Sequence, residues 1–248
     1  MIFAADIGCK NLAYCILEYK NEELNILEWN LINLHSKTLE CCKILRNGKK
    51  CCKNGIWQSQ ICQSENDTIN YYCTNHKLIK SKKIKPNKLD SLYDFGRNMY
   101  EYLDQHSLIL NCDKIVIENQ PSLKNPKMKS ISMLLYSYFV FHKKSNINFI
   151  HPNSKLKIHE KLTKQIFDSS DKKNKYKITK QLGIYYTKYI MDIEVNESEK
   201  WIDLLNDKKK QDDLCDSFLH GYFTIFGKNC KENDTDFENY INDNLIVG

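Results

Sequence analysis

The spacing of apolar residues changes several times along the chain, and each change marks an element. Met1 to Gly8 is a short apolar run ending in Asp6-Ile7-Gly8, a buried strand that presents a carboxylate at its C-terminal end. Asn11 to Tyr19 and Glu22 to Leu34 read as two more strands joined by short turns, an antiparallel meander. From Asn87 to Leu110, Leu89, Leu92, Tyr93, Met99, Tyr100 and Leu103 fall at helical spacing and predict one long amphipathic helix. Asp113 to Gln120 is a buried strand stopped by Pro121, and it delivers Glu118 at its end. Met128 to His142 is a mostly apolar helix, and Asn146 to His151 a fifth strand stopped by Pro152. Lys155 to Asn206 is helical in pieces, with Lys175 to Met191 the best-formed piece. Lys210 to Phe226 closes the fold, and the residues after Gly227 are expected to be a partly disordered tail. The order predicts an α/β protein: a mixed five-stranded sheet flanked by helices.

Residues 40–85 break this periodicity. They are rich in Cys, Lys, Asn and Gly and read as a small inserted module, leaving 1–39 and 86–228 as the main domain and 229–248 as the tail. Six of the 11 cysteines lie between Cys41 and Cys73. No run of about 18 apolar residues and no basic leader precedes the first strand, so the expectation is a soluble, intracellular protein, in which cysteines serve as metal ligands or buried thiols instead of disulfides. Cys73 and His76 are spaced to grip one Zn²⁺ from a tight turn, and a second pair from an earlier knuckle would complete a tetrahedron. Cys42 and Cys51 are taken for that pair, with Cys41, Cys52 and Cys62 as substitutes. Four protein ligands make such a zinc structural, and Lys43, Arg46, Lys49, Lys50 and Lys53 could add phosphate contacts. The blander reading is a patch of buried thiols.

The net charge of +6, with lysines clustered at 77–88, 124–129, 172–180 and 208–210, suits a polyanionic partner such as nucleic acid. Against this basic background, Asp213 and Asp216 project from one face of the last helix, where two carboxylates repel unless a cation lies between them. Asp6, Glu118, Asp213 and Asp216 thus stand at the ends of core elements and could converge at one sheet edge. Three or four hard oxygen ligands drawn from separate elements are what Mg²⁺ requires, and two such ions can support phosphodiester hydrolysis. Each acid alone has an ordinary reading as a turn, strand-end or helix-start residue. Most of the fifteen tyrosines fall at core spacing, and packing accounts for them better than base stacking. The stretch His151 to Lys155 reads as a polar loop after a strand, with Lys155 able to reach phosphate.

Asp6-Ile7-Gly8-Cys9-Lys10-Asn11, Ile117-Glu118-Asn119-Gln120 and Lys209-Lys210-Gln211-Asp212-Asp213-Leu214-Cys215-Asp216-Ser217 resemble, in order and separation, the three signature blocks of the RuvC-like Holliday junction resolvases, particularly the poxviral and fungal mitochondrial branch. The resemblance covers roughly residues 1–34 and 87–227. It implies the RNase H-like fold and a Mg²⁺-dependent endonuclease in which Asp6, Glu118, Asp213 and Asp216 hold two ions, with Mn²⁺ able to substitute. It also implies a homodimer that binds a four-way DNA junction and nicks two opposed strands, leaving 5′-phosphate and 3′-hydroxyl ends. Asp212 could share the metal, although the D-x-x-D spacing favours Asp213. Lys10, Lys209 and Lys210 are the candidate contacts to DNA phosphate. The cysteine-rich insert departs from the family pattern and points to a divergent branch, such as one from a large DNA virus acting in the host cytoplasm or virus factory.

Two rivals share the fold or part of the signal: another RNase H-like nuclease acting on RNA–DNA hybrids or flaps, and a non-catalytic zinc-bearing DNA-binding protein. Asp6-Ile7-Gly8 also resembles the first phosphate loop of actin-like ATPases. Those need a second glycine-rich loop, which a chain with eight glycines and no Gly-Gly lacks.

Overall fold

A computed structural model describes residues 1–245 apart from 9, 36–38, 52, 54, 62–67, 85–90, 124 and 208–210. The candidates Cys52, Cys62, Lys209 and Lys210 therefore lie outside the described residues. The chain forms two compact units, one made of Met1–Asn33 and Met99–Gly248, the other of Leu34–Asn98. Among the described residues no helix is long and apolar enough to cross a membrane.

The first unit is built on a five-stranded sheet. Strands β1 (Ile2–Ile7), β2 (Asn11–Lys20) and β3 (Glu23–Asn33) form the expected meander. Asn21 and Glu22, both at positive φ, make the two-residue turn between β2 and β3, a geometry whose twist matches that of the flanking strands. Three short strands of the other unit, β4 (Trp57–Ile61), β5 (Thr68–Tyr72) and β6 (Lys82–Lys83), come next in the chain. Strand β7 (Lys114–Glu118) then returns beside β1 and β8 (Ile147–Ile150) beside β7, both in parallel, so the sheet order is β3-β2-β1-β7-β8. The central β1 and β7 are apolar on both faces, as parallel strands covered on two sides must be.

Helices α1 (Leu92–Asp104) and α2 (Ser107–Asn111) replace the single long helix expected from periodicity. The His106 ring stacks on Tyr102 at 4.1 Å and its Nδ1 approaches the Tyr102 carbonyl at 2.8 Å. That carbonyl is the acceptor a continued helix would offer to the His106 N–H, so the helix stops there. Helix α3 (Pro126–Phe141) starts cleanly, because Asn125 caps Met128 N and proline occupies the first turn. Helices α4 (Glu160–Ser169), α5 (Lys175–Glu194) and α6 (Glu199–Asp207) are the pieces of the helical region, and α7 (Gln211–Phe226) lies across β1 and β2. Close approach occurs at Gly221, where a Cβ would come within 2.7 Å of Leu17 Cδ1 and 3.3 Å of Ala4 Cβ. On the same helix, the Leu214 carbonyl accepts a hydrogen bond from buried Trp29 Nε1 at 3.0 Å. These two contacts fix the height at which α7 presents its acidic turn.

Residues 228–245 carry regular structure where the sequence reading expects a partly disordered tail. Asn229 N and Lys231 N donate to the carbonyls of Lys157 and Ile158, and Asp234 caps α8 (Thr235–Asn244). Phe237 and Ile241, four apart, are fully buried, with the Phe237 ring against Tyr186 and Tyr189 of α5.

In the second unit, β5, β4 and β6 make a three-stranded antiparallel sheet. A small hairpin precedes it: Cys51 N donates to Lys43 O and Leu45 N to Lys49 O, Ile44 bridges Lys50, and Gly48 takes the positive φ of the turn. A 3-10 turn at Thr74–His76 follows β5. Among the described residues, the buried cluster of this unit near the hairpin comprises Cys41, Cys51, Tyr72 and Cys73, with Cys42 and Trp57 packed beside it.

Candidate active site

The parallel register of β1 and β7 pairs Ala5 with Ile117, so the next residue on each strand, Asp6 and Glu118, emerges at the same sheet edge. Adjacent strands lie about 4.8 Å apart, which sets the two carboxylates side by side. From the first turns of α7, Asp216 joins them. One carboxylate oxygen from each of Asp6, Glu118 and Asp216 lies within 4.8 Å of the others. Asp213, one turn earlier, falls outside that group, although its charge still bears on Asp6. Asp212 faces elsewhere and forms an ion pair with Lys180 of α5. Lys10 is exposed in the tight turn after β1, where Gly8 N donates to Asn11 O at 2.8 Å.

Electrostatics distinguish the three acids. Burial, followed by repulsion from Glu118 and Asp216, pushes the Asp6 carboxyl well above its ordinary value of 3.8. Asp216 is also raised by burial, against the pull of Lys155. Glu118 goes the other way: burial opposes ionisation, but hydrogen bonding and charge from His220, Lys155 and Gln120 outweigh it. His220 Nε2 lies 2.9 Å from Glu118 Oε2, and Gln120 Nε2 donates to Oε1 at 3.1 Å. His220 is fully buried, and its Nδ1 has no hydrogen-bond partner among the described residues, so the Glu118 contact is what orients the ring.

Lys155 is not on a polar loop. It sits, buried, in a 3-10 segment at Pro152–His159, and its ammonium pairs with Asp216. Burial would discharge it, yet Asp216, Glu118 and Asp6 together hold its pKa above the ordinary lysine value. Periodicity missed His220 as well. Its signal was present: it falls four residues after Asp216 and seven after Asp213, on the same helical face.

The donor set fits divalent cations. Three hard oxygens converge, one of them is held against its charge by mutual repulsion, and a positive side chain already lies among them. The same geometry can bind and orient a phosphodiester through cations and exclude it otherwise, because bare carboxylates repel phosphate.

A second cluster stands in the 34–98 unit. Ligand atoms of Cys41, Cys51, Cys73 and His76 all lie within 4.8 Å of one another, and His76 Nδ1 is 3.4 Å from both the Cys41 and Cys73 sulfurs. A tetrahedral zinc with bonds of about 2.3 Å to sulfur and about 2.0 Å to nitrogen sets S···N near 3.5 Å. Cys41 therefore takes the place expected for Cys42. The two are neighbours in sequence, but Cys42 packs at the side of the cluster and its thiol meets the Tyr72 hydroxyl instead. Burial resists ionisation of Cys41, but backbone hydrogen bonds from Cys73 and Lys43 and the contact with His76 bring its thiol down to about 7. Cys51 is raised: a backbone hydrogen bond from Lys53 lowers it, but burial and the neighbouring thiols prevail.

Residues 2–122 match the family model described as the catalytic domain of mitochondrial resolvase Ydc2 and RNA splicing MRS1. An uncharacterised protein of Acanthamoeba polyphaga mimivirus is 31% identical over 311 residues, an alignment covering 90% of this chain and 74% of that protein. Among solved structures, the yeast mitochondrial Holliday junction resolvase Ydc2 matches 93% of this chain and 85% of its own at 17% identity and a TM-score of 0.48. The Fowlpox virus resolvase, solved with Holliday junction DNA, matches 90% of this chain and 95% of its own at 16% identity and a TM-score of 0.45.

Proposed function

Because this chain belongs to the RuvC-like Holliday junction resolvases and is an endonuclease of that family, we propose that it resolves four-way DNA junctions by paired nicks at a Mg²⁺ site formed by Asp6, Glu118 and Asp216. The observation that carries the reading is the convergence of these three acids, from positions 6, 118 and 216, within 4.8 Å. Asp213 is assigned to the same site as an outer acid. Two Mg²⁺ ions, or Mn²⁺ in their place, would neutralise charge on the phosphate and make water acidic enough to be deprotonated near neutral pH. Asp6, placed centrally and burdened by its neighbours, is the side chain that gains most from a cation. Glu118 is kept ionised and fixed in direction by His220 and Gln120. Lys155 pairs with Asp216 and counters its charge within the acidic site. Lys10, Lys209 and Lys210 are assigned to contacts with the DNA backbone.

Two opposed nicks need two such sites, so a homodimer is part of the proposal: a mass in solution of twice 29.3 kDa is expected. We assign a structural Zn²⁺ to Cys41, Cys51, Cys73 and His76, with Cys42 outside its shell. The decisive experiment incubates the purified protein with Mg²⁺ and labelled four-way, Y-shaped, hybrid and linear duplex substrates. Symmetric cutting of the four-way species supports the reading. Preferential cutting of hybrid or flap substrates overturns it in favour of another RNase H-like activity.

A positioning role for His220 follows from its contact with Glu118. His220→Leu is expected to lower kcat on junctions by about 10- to 100-fold, the usual cost of losing a partner that orients a metal ligand. His220→Gln, whose amide nitrogen can reach the Nε2 position, should recover much of the loss. Equal loss in both variants with unchanged folding would remove the hydrogen bond from the account.

A further inference from the structure

The basic charge of this protein is concentrated in one unit. Residues 34–98 contain 13 lysines and arginines against five acids, a net of +8, while the remaining residues come to −2 within a chain of +6. The unit bearing the carboxylate site thus has no net attraction for a polyanion. The other unit has it in excess.

Where that charge lies is informative. Each half of the Cys/His cluster is followed by an aliphatic pair bracketed by cations: Lys43-Ile44-Leu45-Arg46 after Cys41, and Lys77-Leu78-Ile79-Lys80 after His76. All four aliphatic residues are exposed, Ile79 completely and Ile44 by 56%. Four aliphatic side chains left in water, bracketed by cations on either side of the Cys41/Cys51/Tyr72/Cys73 cluster, point to a contact surface. Their backbone places are defined by hydrogen bonds: Ile44 and Leu45 belong to the hairpin closed by Cys51 N to Lys43 O and Leu45 N to Lys49 O, and Leu78, just after the 3-10 turn that ends at His76, accepts from Ser81 N. None is more than four residues from a cluster ligand, a reach of about 14 Å at most.

We propose that residues 34–98 form a metal-clamped grip for branched DNA, in which Lys43, Arg46, Lys49 and Lys80 bind backbone phosphates and the pairs Ile44/Leu45 and Leu78/Ile79 rest on bases left unstacked at the branch point. This rests on the reading of the chain as a junction nuclease and of the Cys/His cluster as a zinc site. Apolar side chains among cations are the combination that opens base steps while holding the strands on either side. Unbroken duplex offers the cations their phosphates but hides its base faces from the aliphatic pairs, so the two parts of the grip have separable effects. Lys50, engaged by Glu40, and Lys77, 4.8 Å above the Trp57 ring, are left to structural work.

The test measures binding to a four-way junction and to a linear duplex of the same composition across a salt series, in an Asp6→Asn background without chelator. Replacing Lys43, Arg46, Lys49 and Lys80 together by Gln should weaken both substrates and reduce the salt slope by about 0.9 for each phosphate no longer neutralised. Replacing Ile44, Leu45, Leu78 and Ile79 by Ser should leave duplex binding and the slope unchanged and reduce the preference for the junction at least tenfold. Zinc content of one per chain in each variant confirms that the unit is intact, and the two sets are read independently should either lose it. Unchanged affinity and slope in zinc-loaded variants overturns the proposal. So does loss of binding to anionic phospholipid vesicles with DNA binding intact, which assigns the surface to a membrane. If the wild-type protein binds junctions through this unit but cuts nothing with Mg²⁺, the nuclease reading fails alone; if it cuts junctions and the variants bind like wild type, this inference fails alone.

Discussion

Asp6→Asn should abolish junction cleavage, by at least about 10³-fold, while leaving junction binding intact, because it removes charge from the side chain on which the other acids converge. The same substitution should raise the melting temperature in Mg²⁺-free buffer by a few degrees. The sign follows from the direction of the shift. An acid whose folded pKa is raised binds its proton more tightly when folded, so it carries no penalty below the ordinary value of 3.8. The penalty accrues as pH rises from there through the raised folded value, and it is complete above that value. Wild-type protein without Mg²⁺ should therefore lose stability relative to Asp6→Asn across that window, and adding Mg²⁺ at neutral pH should stabilise wild type much more than the variant. Nuclease assays and thermal melts with and without Mg²⁺ check both halves. Retained cleavage in Asp6→Asn would end the carboxylate mechanism, and loss of cleavage with retained binding rejects a purely DNA-binding role.

The second large effect concerns the Cys/His cluster. A structural zinc contributes on the order of 10 kcal/mol to folding, more than the small cluster of Cys41, Cys51, Tyr72 and Cys73 around it can supply. Stripping the metal should unfold residues 34–98, seen as protease cuts confined to that stretch. Metal analysis should find one zinc per chain in wild type, loss in Cys41→Ser and Cys73→Ser, and retention in Cys42→Ser. The Cys41/Cys42 comparison is the sharp part: zinc retained in Cys41→Ser and lost in Cys42→Ser would contradict the inward placement of Cys41.

The sheet was legible in the sequence because its strands are apolar runs closed by Gly, Pro or an acid, and Asp6 and Glu118 stood at the ends of two of them. The D-x-x-D pair identified α7 in the same way. What stayed hidden depended on contacts between distant segments. Lys155 looks like loop chemistry until Asp216, 61 residues on, is brought to it. Cysteine spacing cannot say which of two adjacent thiols turns inward, and that choice is settled by the hydrogen bonds of the hairpin from Lys43 to Cys51. The break between α1 and α2 follows from a side chain competing for a backbone carbonyl, which periodicity does not register. Helix α8 was masked by its polar composition, although the Asp234 cap and the Phe237/Ile241 spacing were there to be found.

The pairing of β1 with β7 joins residues more than 110 positions apart, and Asp216 comes almost 100 positions later still. During synthesis, a nascent chain that has emerged through residue 200 holds two of the three converging carboxylates and lacks the helix that seats the third. A chain truncated ahead of α7 is thereby expected to leave nucleic acid uncut.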